Sequence, residues 1–151
     1  MTSYDQCVRL AIALLCLGCA ALPAAGQNQA FESAEKTPVA VHSVSTGGFW
    51  MSGNAEGFFR TVVIAGGVEH VSHRLFIQWL KNDPATQSYQ LVRTSNVREL
   101  NLGAAYVLKV TTAFGDINRF KITVTANARG REAKRFTITA KGGGGYTIRS
   151  R

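Results

Sequence analysis

The chain has 151 residues, of which 46% are hydrophobic, and a formal net charge of +8. From residue 27 onward about 125 residues remain, enough for one domain that buries a core without covalent staples. All three cysteines (Cys7, Cys16 and Cys19) precede that point, so a chain processed there has no disulfide, no thiolate nucleophile and no cysteine metal site. The charge excess lies late: residues 27–96 carry five Lys/Arg against five Asp/Glu, and residues 97–151 carry eleven against three.

Taken in order, residues 1–26 read as a secretory signal. Arg9 precedes an uncharged apolar run over residues 10–22, Pro23 breaks it, and Ala24 and Gly26 supply small residues for cleavage before Gln27. The run is about 13 residues, against about 20 for a membrane span, so the expectation is a cleaved signal, a periplasmic or secreted protein and no transmembrane segment in the mature chain. An uncleaved anchor is the alternative. Lipidation at Cys19 is another, although Cys16-Leu17-Gly18 matches the lipoprotein tripeptide poorly.

Residues 27–38 are polar and are expected to form a flexible leader, and residues 39–151 the domain. Val39, Val41 and Val44 mark a first strand. Residues 47–57 hold too many glycines for a helix and suggest a loop or short edge strand, with Phe49 and Trp50 tucked inward. The strongest signal follows. Residues 58–65 and 69–80, rich in β-branched and aromatic residues, fold back at Ala65-Gly66-Gly67-Val68. In the second arm Val71, His73, Leu75, Ile77 and Trp79 share a face by period two. Lys81-Asn82-Asp83-Pro84 ends it.

Further strands are expected at residues 89–94, 97–102 and 106–114. In the last of these Tyr106, Leu108, Val110, Thr112 and Phe114 oppose Val107, Lys109 and Thr111. Residues 119–127 place Phe120, Ile122, Val124 and Ala126 inward, with Arg119, Lys121, Thr123 and Thr125 outward. Residues 128–132 turn, residues 133–140 place Phe136, Ile138 and Ala140 inward, and Gly142–Gly145 joins a last strand at residues 146–149.

Seven to eight short strands with turn signals between them point to an all-β, single-domain antiparallel β-sandwich. Leu100-x-Leu102-Gly103-x-x-Tyr106-x-Leu108-x-Val110 resembles the tyrosine corner of immunoglobulin-like and fibronectin type III domains. That resemblance implies an immunoglobulin/fibronectin III-like sandwich and carries no function with it.

Few residues suggest catalysis. On a strand, the spacing of His70 and His73 sends their imidazoles to opposite faces, and His42 lies on another strand. There is no Gly-x-Ser-x-Gly elbow, and the glutamates sit in polar, loop-like settings. Gly142–Gly145 leads to a strand, so it lacks the helix N-terminus of a phosphate cradle. No cofactor is implied. The basic set carries more force: Lys109, Arg119, Lys121, Arg129, Arg131, Lys134, Arg135, Lys141 and Arg149, with Arg151 beyond. If their strands are neighbours, the cations form one positive field. The expected role is a non-catalytic binding or structural accessory module for an anionic partner: an envelope lipid, a glycan or an acidic protein. Aromatic residues are not interleaved with these cations, which points away from nucleic acid. The alternatives are a small hydrolase or metal-binding protein using His42, His70 and His73, and a subunit of an envelope assembly that pairs through the edge strand at residues 146–149.

Overall fold

The computed structural model describes residues 35–67, 71–101, 105–114, 116–128 and 131–151. Among these, two antiparallel sheets dominate. The first contains β1 (Val41–Ser52), β2 (Ala55–Gly66), β3 (Ser72–Asp83) and β4 (Ser88–Asn96), in that order. A helical turn, α1 (Arg98–Asn101), leads to the second, with β5 (Ala105–Phe114), β6 (Arg119–Ala128), β7 (Lys134–Lys141) and β8 (Tyr146–Ser150), again in order. The signal-like segment 1–26, Glu69, His70, Gly103 and Arg129 lie outside the described residues. Among the described residues no helix is long and apolar enough to cross a membrane.

Each sheet is a meander of consecutive hairpins. This order departs from the immunoglobulin and fibronectin III layout, in which each sheet takes strands from both halves of the chain. The short turns account for it, because each strand pairs with the one just made.

The two sheets pack face to face. The anticipated hairpin becomes β2 and β3, in continuous register from Gly57↔Lys81 to Gly66↔Ser72. Its period-two face is observed from His73 onward: His73, Leu75, Ile77 and Trp79 are all buried, whereas Val71, expected on the same face, precedes β3 and is exposed. Phe59 of β2 stacks on Phe120 of β6 with ring centroids 5.3 Å apart, and Trp79 meets Phe59 edge-on at 5.8 Å. Ile122, Val124, Ile138 and Ala140 close the core from the second sheet. The alternation expected in β6 and β7 is therefore the one the core uses.

Three local expectations are revised, each for a packing reason. Of the loop and edge-strand readings, the edge strand holds for residues 47–52: β1, at the edge of its sheet, continues through them by a bulge between Gly47 and Phe49. Gly48 takes φ 66°, and a Cβ there would lie 2.8 Å from Phe120 Cδ2, so the bare backbone lets the Phe120 ring reach the first sheet. Only Trp50 tucks inward; Phe49 faces out and is 42% exposed. Residues 97–101 are not the expected strand, and Leu102 lies outside the described residues. Val97 and Leu100 are both buried, a spacing of three that suits the helical turn α1. Asn101 supports the turn. Its side-chain amide accepts from Leu75 N at 2.8 Å and donates to Leu75 O at 2.9 Å, substituting for a strand neighbour of β3. Third, β5 carries a bulge between Val107 and Lys109. Val107 is buried, Val110 and Thr112 are half-buried, and Lys109 and Thr111 are exposed, so simple alternation through β5 is broken.

Two polar ties join distant parts. Asn118, in the turn before β6, donates its N–H to Phe49 O at 2.9 Å, accepts from Met51 N at 2.6 Å and accepts from Gly142 N at 3.0 Å. The hydroxyl that ties to loop backbone is that of Tyr146, on β8. It accepts from Arg98 N at 3.1 Å and lies 2.8 Å from Glu99 Oε2 and 3.1 Å from Asn96 O, so its proton serves one of these acceptors at a time. Burial, then Glu99, hold the phenol above its ordinary pKa.

Candidate functional site

The outer face of the second sheet is set by register. Inward pairs Phe120↔Ala140, Ile122↔Ile138 and Val124↔Phe136 alternate with outward pairs Arg119↔Lys141, Lys121↔Thr139, Thr123↔Thr137 and Thr125↔Arg135. Outward pairs Thr137↔Arg149 and Thr139↔Thr147 extend the rows onto β8, and Lys109↔Thr125 and Thr111↔Thr123 extend them onto β5. Neighbours within a row stand about 5 Å apart across strands, and rows repeat at about 7 Å along them. The result is a lattice of cations and hydroxyls on one face of the sheet. None of the four strands contains an Asp or Glu. A shallow groove of about 330 Å³ runs over it, lined by Arg119, Thr137, Thr139, Lys141, Thr147 and Arg149.

Six of the nine cations singled out in the sequence share this face: Lys109, Arg119, Lys121, Arg135, Lys141 and Arg149, all exposed. Lys134 does not. It pairs with the inward position Ala126 at the start of β7 and is exposed there. Arg131 is exposed beside the β6–β7 turn, and Arg129 lies outside the described residues. Arg151 adjoins the lattice through its N–H, which donates to Arg135 O at 2.9 Å. Among the acids of this half, Glu99 is engaged with Tyr146, and Asp116 and Glu132 are exposed in turns. Comparison with protein-family models, with curated proteins and with solved structures finds no match. The chemistry of the face therefore rests on its own residues. Threonine hydroxyls can donate to oxyanions between cations, and the sheet presents them on the same face. Phe120, Phe136 and Tyr146 occupy inward positions, so these rings are not offered for base stacking.

His42 and His73, on β1 and β3, come together, while His70 lies outside the described residues. His73 is buried at the end of the core, and its Nδ1 accepts a hydrogen bond from Val107 N at 3.0 Å. His42, from β1, stacks on it with centroids 4.5 Å apart and planes 28° from parallel. Tyr106 approaches His73 edge-on at 6.3 Å. Burial and, after it, the neighbouring His42 lower the His73 pKa. Accepting from a backbone N–H also requires an unprotonated Nδ1, which leaves the proton on Nε2. Among the described residues no group of three His, Cys, Asp or Glu side chains is close enough to hold a metal ion.

This arrangement predicts an acid-sensitive fold. His73 has its ordinary pKa of 6.5 in the unfolded chain and a lower one in the folded protein. Above 6.5 the neutral form prevails in both states and its full stability is present. As the pH falls from there through the folded pKa, the unfolded chain binds the proton first and stability declines. Urea titrations between pH 7 and pH 5 are expected to show this fall. His73→Gln, which retains an acceptor but does not titrate, is expected to flatten it. An equally steep fall in the variant would remove His73 as the cause.

Proposed function

We propose that this protein is a non-catalytic adhesion module of the cell envelope, exported by its N-terminal segment, whose second sheet binds a surface rich in phosphate or sulfate groups. The supporting observation is the outer lattice of β5–β8, with its six cations and six threonines and no carboxylate on the strands that build it. An array spread over four strands with a repeat of about 5 by 7 Å suits an extended partner, such as lipid headgroups or an anionic glycan, better than a compact molecule. Cations on strands that carry no carboxylate sum to a field that draws such a surface in and weakens with salt. The reading uses the two-sheet architecture and needs no immunoglobulin-like connectivity. β8 is an edge strand of its sheet, and it supports a second reading, strand addition to a larger assembly.

The test is retention on heparin and on vesicles containing anionic lipid. Wild type is expected to bind at low salt and to elute as salt rises. Changing Arg119, Lys121 and Arg135 together to Glu takes the formal charge from +8 to +2, since each reversal removes two charges, and is expected to abolish retention with the fold intact. Reversing Arg74, Arg98 and Arg131, which lie off the lattice, makes the same change in net charge and is expected to leave most of the retention. Retention that survives the first triple change, or is lost equally in both, would show that the lattice is not the binding surface.

A further inference from the structure

A second concave site lies at the opposite edge of the core. It is a cleft of about 430 Å³, within the range of small-ligand sites. All four strands of the first sheet line it, and the β7–β8 turn forms its remaining wall. Trp50 and Trp79 form the floor. Each indole N–H is already satisfied, Trp50 Nε1 donating to Phe58 O at 3.2 Å and Trp79 Nε1 to Lys141 O at 2.9 Å, so the floor is apolar and fixed. Val92 and Ala55 add apolar surface, while Lys81 and Arg93 bring two exposed cations to the mouth. Arg93 is held with its Cζ 5.9 Å from the Trp79 ring centroid.

None of the lining residues is acidic. Of the two nearest carboxylates along the chain, Asp83 lies close enough to feel the charge of Lys81, which leaves Arg93 as the principal cation of the cleft, and its oxygens accept in the β3–β4 turn from Ala85 N and Gln90 Nε2, at 3.1 and 2.8 Å. Glu56 pairs with Met51 on the outer face of its sheet.

The turn residues sharpen the case. Gly142 and Gly144 are required by the fold: a Cβ at Gly142 would meet the Asn118 side chain, and one at Gly144, where φ is 83°, would lie 2.5 Å from Arg93 Nη1. Gly143 is different. It lines the cleft, its backbone does not require glycine, and a Cβ there would meet nothing within 4 Å. Packing gives no reason for a glycine at this position, and an open cleft does.

We propose that this cleft is a binding site for a small organic anion, an apolar ring carrying a carboxylate or a phosphate. The ring would lie against the indole floor and Val92. Its anionic group would meet the forked guanidinium of Arg93 and the ammonium of Lys81. The site is separate from the lattice on the second sheet and stands or falls independently of it.

The chain supplies its own reporter. It has two tryptophans, and both line the cleft, so intrinsic fluorescence reads this site. Benzoate and phenyl phosphate are the probes, with inorganic phosphate and neutral benzamide as controls. A saturable fluorescence change is expected with one or both ring anions at micromolar to millimolar concentration, and the tighter of the two identifies the anionic group. Arg93→Gln is expected to weaken binding at least tenfold. Gly143→Leu, whose Cβ would meet nothing within 4 Å, is expected to block it while leaving the urea midpoint unchanged. The triple reversal of Arg119, Lys121 and Arg135 is expected to leave it unaltered. The proposal is overturned if neither ring anion gives a saturable change at millimolar concentration, if benzamide binds as well as benzoate, or if binding survives both Arg93→Gln and Gly143→Leu.

Discussion

Replacing Phe120 with alanine is expected to remove about 3–5 kcal/mol of folding stability. Phe120 is fully buried, stacks on Phe59 across the two sheets and fills the space left open by Gly47 and Gly48. Its removal forfeits the transfer energy of the ring and leaves a cavity that rigid strands on either side cannot collapse to fill. A domain of this size has a total stability of about 5–15 kcal/mol, so the loss is a large share of the whole. Urea titration measures it, and Phe120→Leu, which refills most of the volume, is expected to lose less. A loss under about 1 kcal/mol for alanine would mean that Phe120 does not bridge the sheets as described.

Gly57→Ala is expected to be as damaging, although it adds a single methyl group. A Cβ at Gly57 would fall on the carbonyl of Leu80 in the adjacent strand, far inside van der Waals contact. The obstructing atom is backbone and cannot rotate away, so β2 and β3 must separate where they pair through Gly57↔Lys81 and Phe58↔Leu80. The cost is expected at or above the upper end of overpacking, about 3 kcal/mol. Gly66→Ala is the control. A Cβ there meets nothing within 4 Å, and the urea midpoint is expected to move little. Equal midpoints for the two variants would refute the close approach of β2 and β3 at Gly57.

Much of the architecture was legible in the chain because a strand alternates with period two. Where that period ran unbroken, as from Phe120 to Ala126 and from His73 to Trp79, burial followed it. The bulges were not legible. A bulge inserts one residue and reverses every face beyond it, and the choice of Gly47 to Phe49 and of Val107 to Lys109 as insertion points depends on packing against the facing sheet. The helical turn at Arg98–Asn101 is not legible in the sequence, because four residues are too few for one period to exclude another. The signal that could have found it was Val97 and Leu100 at a spacing of three.

For the candidate sites the division is similar. The outward cations of β6 and β7 followed from local alternation, since their own strands determine the side on which they lie. Residues near turns did not follow, and Lys134 leaves the lattice because one residue of offset moves it to the other face. His42 against His73, and Trp50 beside Trp79 under Arg93, were invisible in the sequence. Each set draws on strands that meet only through sheet register and the packing of one sheet on the other.

The sequence by itself determined that this protein is built of strands, which residues of β6 and β7 face the core, and that its charge is concentrated late in the chain. These are properties of a backbone with period two and of composition, and they need no partner strand. Only the tertiary structure decided that the strands form two meanders, that six of the cations share one sheet face with six threonines, and that two tryptophans and two cations line a cleft. Those outcomes depend on which strand pairs with which and in what register, and pairing energy is gained only once distant segments are side by side.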